Sequence, residues 1–119
     1  MDAIYVFTAG ASTVGKIGLP AVVDPATGKV TALAATMAAS TEVVGIVMSE
    51  ASAAGEPVEV ACHGAVVKAV ASAAIKKGAP INVASASGVG YNSTAVKLIG
   101  RYLEEAKAAG DMVDILVLA

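Results

Sequence analysis

Gly45–Val60 reads GIVMSEASAAGEPVEV, and Gly100–Ile115, 55 positions later, reads GRYLEEAKAAGDMVDI. Seven of the sixteen aligned pairs are identical: Gly45/Gly100, Glu50/Glu105, Ala51/Ala106, Ala53/Ala108, Ala54/Ala109, Gly55/Gly110 and Val58/Val113. Glu56/Asp111, Glu59/Asp114 and Val60/Ile115 keep charge or shape. A repeat of this length marks one supersecondary unit used twice within a fold. The shared residues form turns and strands and carry no obvious chemistry, so the repeat reads as scaffold. Each copy has a connector, EASAAG or EAKAAG, expected to be a short helical turn ended by Gly55 or Gly110. A strand follows, with Val58 and Val60, or Val113 and Ile115, alternating with acidic residues. That alternation predicts Glu56, Glu59, Asp111 and Asp114 facing solvent on edge strands, where charge discourages wrong pairing.

Outward from the repeat, the pattern stays β. Ala3–Thr8 is rich in β-branched and aromatic residues, and Leu19–Asp24 reads as a short strand. Asp24-Pro25 followed by Gly28 is a turn signal, because Pro fixes φ and Gly accepts positive φ. Lys29–Leu33 then returns as the second strand of a hairpin. Glu42–Met48 is a β-branched run that predicts a buried strand. Ala65–Val70, Pro80–Ala84, Ala95–Leu103 and Met112–Leu118 complete the set, with Gly100 marking a bulge. His63-Gly64 and Ser85–Gly90 read as turns, and Ser72–Gly78 as one helical turn. Ala34–Ser40 suits either helix or loop. Short strands separated by turn signals predict a mainly β fold, a small barrel or sandwich with short helical turns. Residues 1–17 read as an N-terminal arm and 18–119 as a single β domain with two related halves.

The bulk numbers bound the function. With 119 residues there is one core. Apolar residues make up 56%, yet aromatics are only 3% and much of the rest is alanine and valine, so the core is thin. Such a core gains from association with copies of itself or a larger surface. Charged residues are 15% with a net charge of −2, and the only adjacent lysines are Lys76 and Lys77. Nucleic-acid binding needs clustered Lys and Arg, and none cluster here. The single cysteine, Cys62, allows no intrachain disulfide and suits a reducing compartment. Met1-Asp2-Ala3 has no basic region of the kind that opens a secretory signal. The longest uncharged segment, Gly78–Val96 apart from its ends' neighbours, is broken by Pro80 and glycines, so no membrane span is expected.

Reactive arrangements are absent from the pattern. Cys62 and His63 are adjacent, and neighbours on a strand point to opposite faces, so they form no nucleophile–base pair. No Cys/His/carboxylate set has metal-ligand spacing. Gly10, Gly15 and Lys16 fit the spacing of a phosphate loop, but Ile17 stands where a hydroxyl must bind Mg²⁺, and Pro20 follows where a helix is needed. The recurring carboxylates Glu50, Glu56, Glu59, Glu105, Asp111 and Asp114 could in principle do acid–base work, but duplication of a connector speaks for structure. Glu104 and Glu105 are expected as solvated charges. No catalytic, cofactor-binding or metal residue is therefore assigned, and no enzyme activity is expected.

The order of these motifs resembles the small capsid decoration, or cement, proteins of tailed bacteriophages. The residues that carry the resemblance are Val22-Val23-Asp24 with Thr27-Gly28-Lys29-Val30, Val44-Gly45-Ile46-Val47, and Ala54-Gly55-Glu56-Pro57-Val58-Glu59-Val60. His63-Gly64-Ala65-Val66, Ile75 with Lys77-Gly78, Ile99-Gly100 and Ala108-Ala109-Gly110-Asp111-Met112-Val113 continue it over roughly residues 18–119. The resemblance implies a β-barrel or tulip-like domain without cofactors, made in the host cytoplasm and docked on the outside of the phage head. It further implies a homotrimer that bridges major capsid protein subunits, with no nucleic-acid or membrane partner. Residues 1–17 would be an arm that orders on docking. The competing readings are a ligand-binding or enzymatic β-barrel using Cys62 and His63, and a head-fibre domain that binds host glycans.

Overall fold

The computed structural model describes residues 3–34, 37–38, 42–93 and 97–119. Twelve strands run in chain order: β1 (Ile4–Thr8), β2 (Pro20–Val23), β3 (Val30–Ala32), β4 (Met37–Ala38), β5 (Val43–Val47), β6 (Pro57–Ala61), β7 (Val66–Val70), β8 (Pro80–Ile81), β9 (Val83–Ser85), β10 (Gly88–Gly90), β11 (Gly100–Tyr102) and β12 (Met112–Val117). All pairings between strands are antiparallel, in sheets ordered β1-β6-β5-β2-β3, β7-β12-β11-β8 and β10-β9-β4. The mainly β expectation holds. Among the described residues no helix forms, and no sheet closes into a barrel. The connectors and the Ser72–Gly78 segment are turns, and the expected Ser85–Gly90 turn is a tight hairpin whose second arm is β10. Part of the ambiguous Ala34–Ser40 segment lies outside the described residues; Met37–Ala38 pairs with β9.

The duplication reaches far beyond the sequence match. β1 pairs with β6 from Ile4↔Ala61 to Thr8↔Pro57, and β7 pairs with β12 from Val66↔Leu116 to Val70↔Met112. The amide of Gly18 donates to Val47 and that of Gly78 to Tyr102, both at 2.8 Å. Val47 and Tyr102 return the bond to Leu19 and Ala79. Ala9 bridges Val30, and Ala71 bridges Val89, each in parallel. The described residues of 3–62 and of 65–117 therefore follow one backbone plan twice. The copies also balance side-chain volume. Phe7 faces the first interior where Ala69 faces the second, and Val47 stands where the second copy has Tyr102. Tyr102 is fully buried, and its hydroxyl donates to the Val89 carbonyl. Its burial pushes the phenol up to about 12.

The repeated Gly45 and Gly100 now have a cause. A Cβ on Gly45 would overlap the carbonyl of Ala61, and one on Gly100 the carbonyl of Leu116. Both sit where the neighbouring strand crosses too close for any side chain, and the β2–β5 register shifts at this point. Gly55 and Gly110 are needed for another reason: both have positive φ, 91° and 93°.

The cores are arranged asymmetrically. Ala9, Ala21, Val30, Val47, Ala51, Val58 and Val60 fill the first half's own interior. The second interior, around Tyr102, Val113 and Ile115, forms one cluster with Leu33, Val43, Ile46 and Ala61 from the first half. These lie on the opposite face of the first sheet from Val47 and Val60. The part of the first sheet around Val43, Ile46 and Ala61 is thus buried on both faces, and its back seals the second half.

Gly45→Ala is expected to lower the unfolding free energy by about 3 kcal/mol, since backbone rather than a flexible side chain must give way. Gly64→Ala, at φ 94° with open space around it, should lose only about 1 kcal/mol. Urea titration of the two variants checks the contrast.

Candidate interaction surfaces

The segment expected as an arm lies along the molecule. Ile4–Thr8 is the outer strand of the first sheet. Beyond it, Thr13 is fully buried, and its Oγ1 donates to the Ser49 carbonyl at 3.0 Å and accepts the Ala51 amide at 2.7 Å. In the second half the carbonyl of Ile75 accepts the Ala106 amide, so a threonine side chain has taken over a backbone role. The Gly15 amide donates to the Glu50 carboxylate at 2.7 Å. Thr13 matches Ile75, but Lys16 matches Lys76, so the first strap is two residues longer, by Val14 and Gly15. Val14 and Ile17 project from it, 56% and 42% exposed. Of the two glycines that fit a phosphate-loop spacing, Gly15 faces a carboxylate and Gly10 donates to the Val30 carbonyl, which disfavours an anion there.

Two of the six recurring carboxylates are turn clamps. Glu56 accepts the Ser52 amide and hydroxyl, and Asp111 accepts the Lys107 and Ala108 amides, each closing its connector. The Ser52 bonds hold the Glu56 carboxyl below the usual carboxylate range. The expectation of edge-strand charges is corrected here, because β6 and β12 are interior strands of their sheets. Glu104 is a surface charge as expected, its side chain 44% exposed, and it also has partners. It accepts the Asp114 amide at 2.7 Å and Lys68 Nζ at 2.9 Å, and Lys68 also reaches Asp114 at 3.2 Å. Lys68 first, then the Asp114 amide, pulls the Glu104 carboxyl down. Bonds to Glu104 and Asp114 raise the Lys68 ammonium.

Cys62 and His63 stand at the turn between the halves. His63 is exposed; the Cys62 thiol is half-buried, 3.6 Å from the Val60 carbonyl, and burial pushes it up. A raised thiol is a poor nucleophile. Among the described residues no group of three or more His, Cys, Asp and Glu is placed to hold a metal. An open cleft of about 470 Å³ lies beside the β2–β3 turn, with Asp24, Lys29, Thr31 and Glu42 at its walls. Asp24 already accepts the Ala26 amide at 2.9 Å. No helix among the described residues is long and apolar enough to cross a membrane.

Some of the large apolar side chains left outside share one face. Val66, Met112 and Leu103 stand on the back of the second sheet, around the Lys68–Glu104–Asp114 group, with Leu98 beside them. Sequence alone did not single out this face, although the alternation of Val66, Lys68 and Val70 carries a trace of it.

The model of the phage cement proteins matches residues 15–118. The chain belongs to that family. No curated protein matches it. The cement protein is thus a structural, non-enzymatic component of the virion, located on the capsid exterior, with a capsid-stabilising role.

Two predictions test the local chemistry. Thr13→Val should cost the cement protein about 2 kcal/mol, because the Ala51 amide loses its partner in a buried place; thermal unfolding measures it. Glu104 has a depressed carboxyl, so its contribution is present above the ordinary carboxylate value of 4.5 and fades as pH falls through the lower folded value. Glu104→Gln should therefore show a shallower loss of stability on acidification than wild type, with the gap between the two greatest near neutral pH.

Proposed function

We propose that the cement protein docks on the outer surface of the assembled head as a homotrimer and bridges neighbouring major capsid protein subunits. The family match over residues 15–118 is the observation that carries this reading. A thin Ala- and Val-rich core with exposed apolar groups fits a chain that works against other surfaces. Each copy then buries modest area. Bridging several subunits makes the release of any one capsomer depend on breaking several contacts at once.

Within residues 1–17, the strap from Ala9 to Ile17 is the part we assign to shell contact. The repeat supports this, since it separates what scaffold requires from what it does not. The strap between Ala9 and Gly18 has a counterpart in the second half, but Val14 and Gly15 do not, and Ile17 stands where the second half has Lys77. The residues that depart from the plan are the ones that project an apolar surface.

Heads assembled without the protein and then mixed with it should survive heating to a higher temperature, or longer exposure to chelator. Occupied heads that break at the same temperature as bare ones would overturn the stabilising mechanism. Val14→Asp with Ile17→Asp should keep the fold, because both side chains face water, and lower head occupancy at least tenfold. Unchanged occupancy would remove the strap from the contact.

A further inference from the structure

The two halves do not meet as equals. Val43, Ile46 and Ala61 on the back of the first sheet are 5%, 1% and 0% exposed because they close the second interior. Their counterparts on the back of the second sheet are Leu98, Arg101 and Leu116, which are exposed or half-buried. The interiors differ in the opposite sense. Val67, Ile99 and Val117 are buried at the mouth of the second half. Their counterparts at the mouth of the first are Tyr5, 59% exposed, with Val44 and Cys62 half-buried.

A two-fold pairing of the halves would bury equivalent residues equally. The contact is instead head-to-tail: the back of one copy of the plan closes the mouth of the other. Such a contact leaves one mouth and one back unused on the same chain. They are built on the same backbone as the buried pair, with Arg101 standing where Ile46 does and donating to the Gly78 carbonyl at 3.1 Å, which leaves that carbonyl a second lone pair.

We infer that the back of the second half, at Leu98, Leu116, Val66 and Leu103, closes the first-half mouth of a second copy of this chain, at Tyr5, Phe7, Val44 and Cys62. The contact repeats the internal one. A backbone bond fixes its register: Val70 on the outer edge of β7 donates its amide to the Gly18 carbonyl of the first half at 2.9 Å. Thr8 and Gly78 occupy the equivalent positions, so the Thr8 amide of one copy meets the Gly78 carbonyl of the next. Gly78 has a φ of 86°, matching the 90° of Gly18. Repetition of a heterologous contact closes as a ring when the rotation allows, and three copies would place six halves around one axis. This inference supplies the surface for the self-association proposed above and rests on that part of the reading, not on shell binding.

The test is a mixing experiment on the full chain. Tyr5→Asp spoils the mouth and leaves the back intact; Leu98→Glu spoils the back and leaves the mouth. Each variant alone should be monomeric by sedimentation, while wild type is oligomeric at about 100 μM, well above the micromolar end of such interfaces. Mixed together, the two variants should form a 1:1 dimer that grows no further, because each brings one sound surface. Circular dichroism confirms that both are folded. Monomeric wild type, or a mixture that stays monomeric while wild type is oligomeric, overturns the head-to-tail contact. Head occupancy measured on the same variants keeps the two readings apart. Binding without self-association sinks this interface and the homotrimer but leaves the shell contact standing, and self-association without binding sinks only the shell contact.

Discussion

The contact between the back of the first sheet and the interior of the second half holds the molecule together. Ile46 and Ala61 lie between the first half and the interior around Tyr102 and Ile115. A unit of about 60 residues buries too little surface to be comfortably stable alone. This chain works with alanine and valine rather than aromatics, which lowers the return per buried residue further. Two such units sharing one sheet as a common wall gain a second buried face without adding large side chains. The molecule's extents, 37 by 26 by 23 Å, fit two small units side by side.

The same contact explains which parts of the repeat stayed visible. Gly45 and Gly100 cannot take a Cβ, Gly55 and Gly110 need positive φ, and Ala51 and Ala106 are 1% exposed. Each position has one cheap solution, so both copies keep it and the 16-residue match survives. The front of each half keeps only backbone bonds. There the offset between equivalent residues drifts: 62 positions for Ala9 and Ala71, 60 for Gly18 and Gly78, 59 for Val30 and Val89. A fixed window registers only the connector and its flanking strands, which keep one offset of 55, and loses a duplication whose spacing shifts in the loops before them. Exchanges such as Phe7 for Ala69 with Val47 for Tyr102 hide it further, because volume is conserved across the core rather than position by position.

Strand runs were legible because β-branched residues cluster between Gly and Pro. Two expectations failed for tertiary reasons. The alanine connectors suggested helix by propensity, but six residues cannot nucleate one, and Glu56 and Asp111 bind the connector amides that a helix would have used. The acidic alternation suggested edge strands, whereas β6 and β12 are covered by the edge strands β1 and β7, which contribute Ile4–Thr8 and Val66–Val70. Pairing order is set by which strands return across the sheet, and alternation along one strand does not contain it. The surface was less legible still. Thr13 looks like a loop residue until its hydroxyl is seen doing the work of a carbonyl, and nothing in the sequence pairs Glu104 with Lys68.

Asymmetry is the property that suits this architecture to a cement protein. A duplicated unit that packed about a two-fold axis would hide identical faces and leave identical faces outside. Head-to-tail packing of the same unit necessarily leaves unlike ends. One is a mouth lined by Tyr5 and Cys62, the other a back carrying Leu98 and Val66. Unlike ends can propagate from copy to copy, while the strap, whose Val14 and Gly15 have no counterpart in the second half, remains available for a different surface. The low charge that would be a liability for a free monomer is then consistent with a chain whose faces are meant to be covered. Duplication thus does two things with one backbone plan: it seals an interior that neither half could seal by itself, and it leaves over the pieces from which a larger assembly can be made.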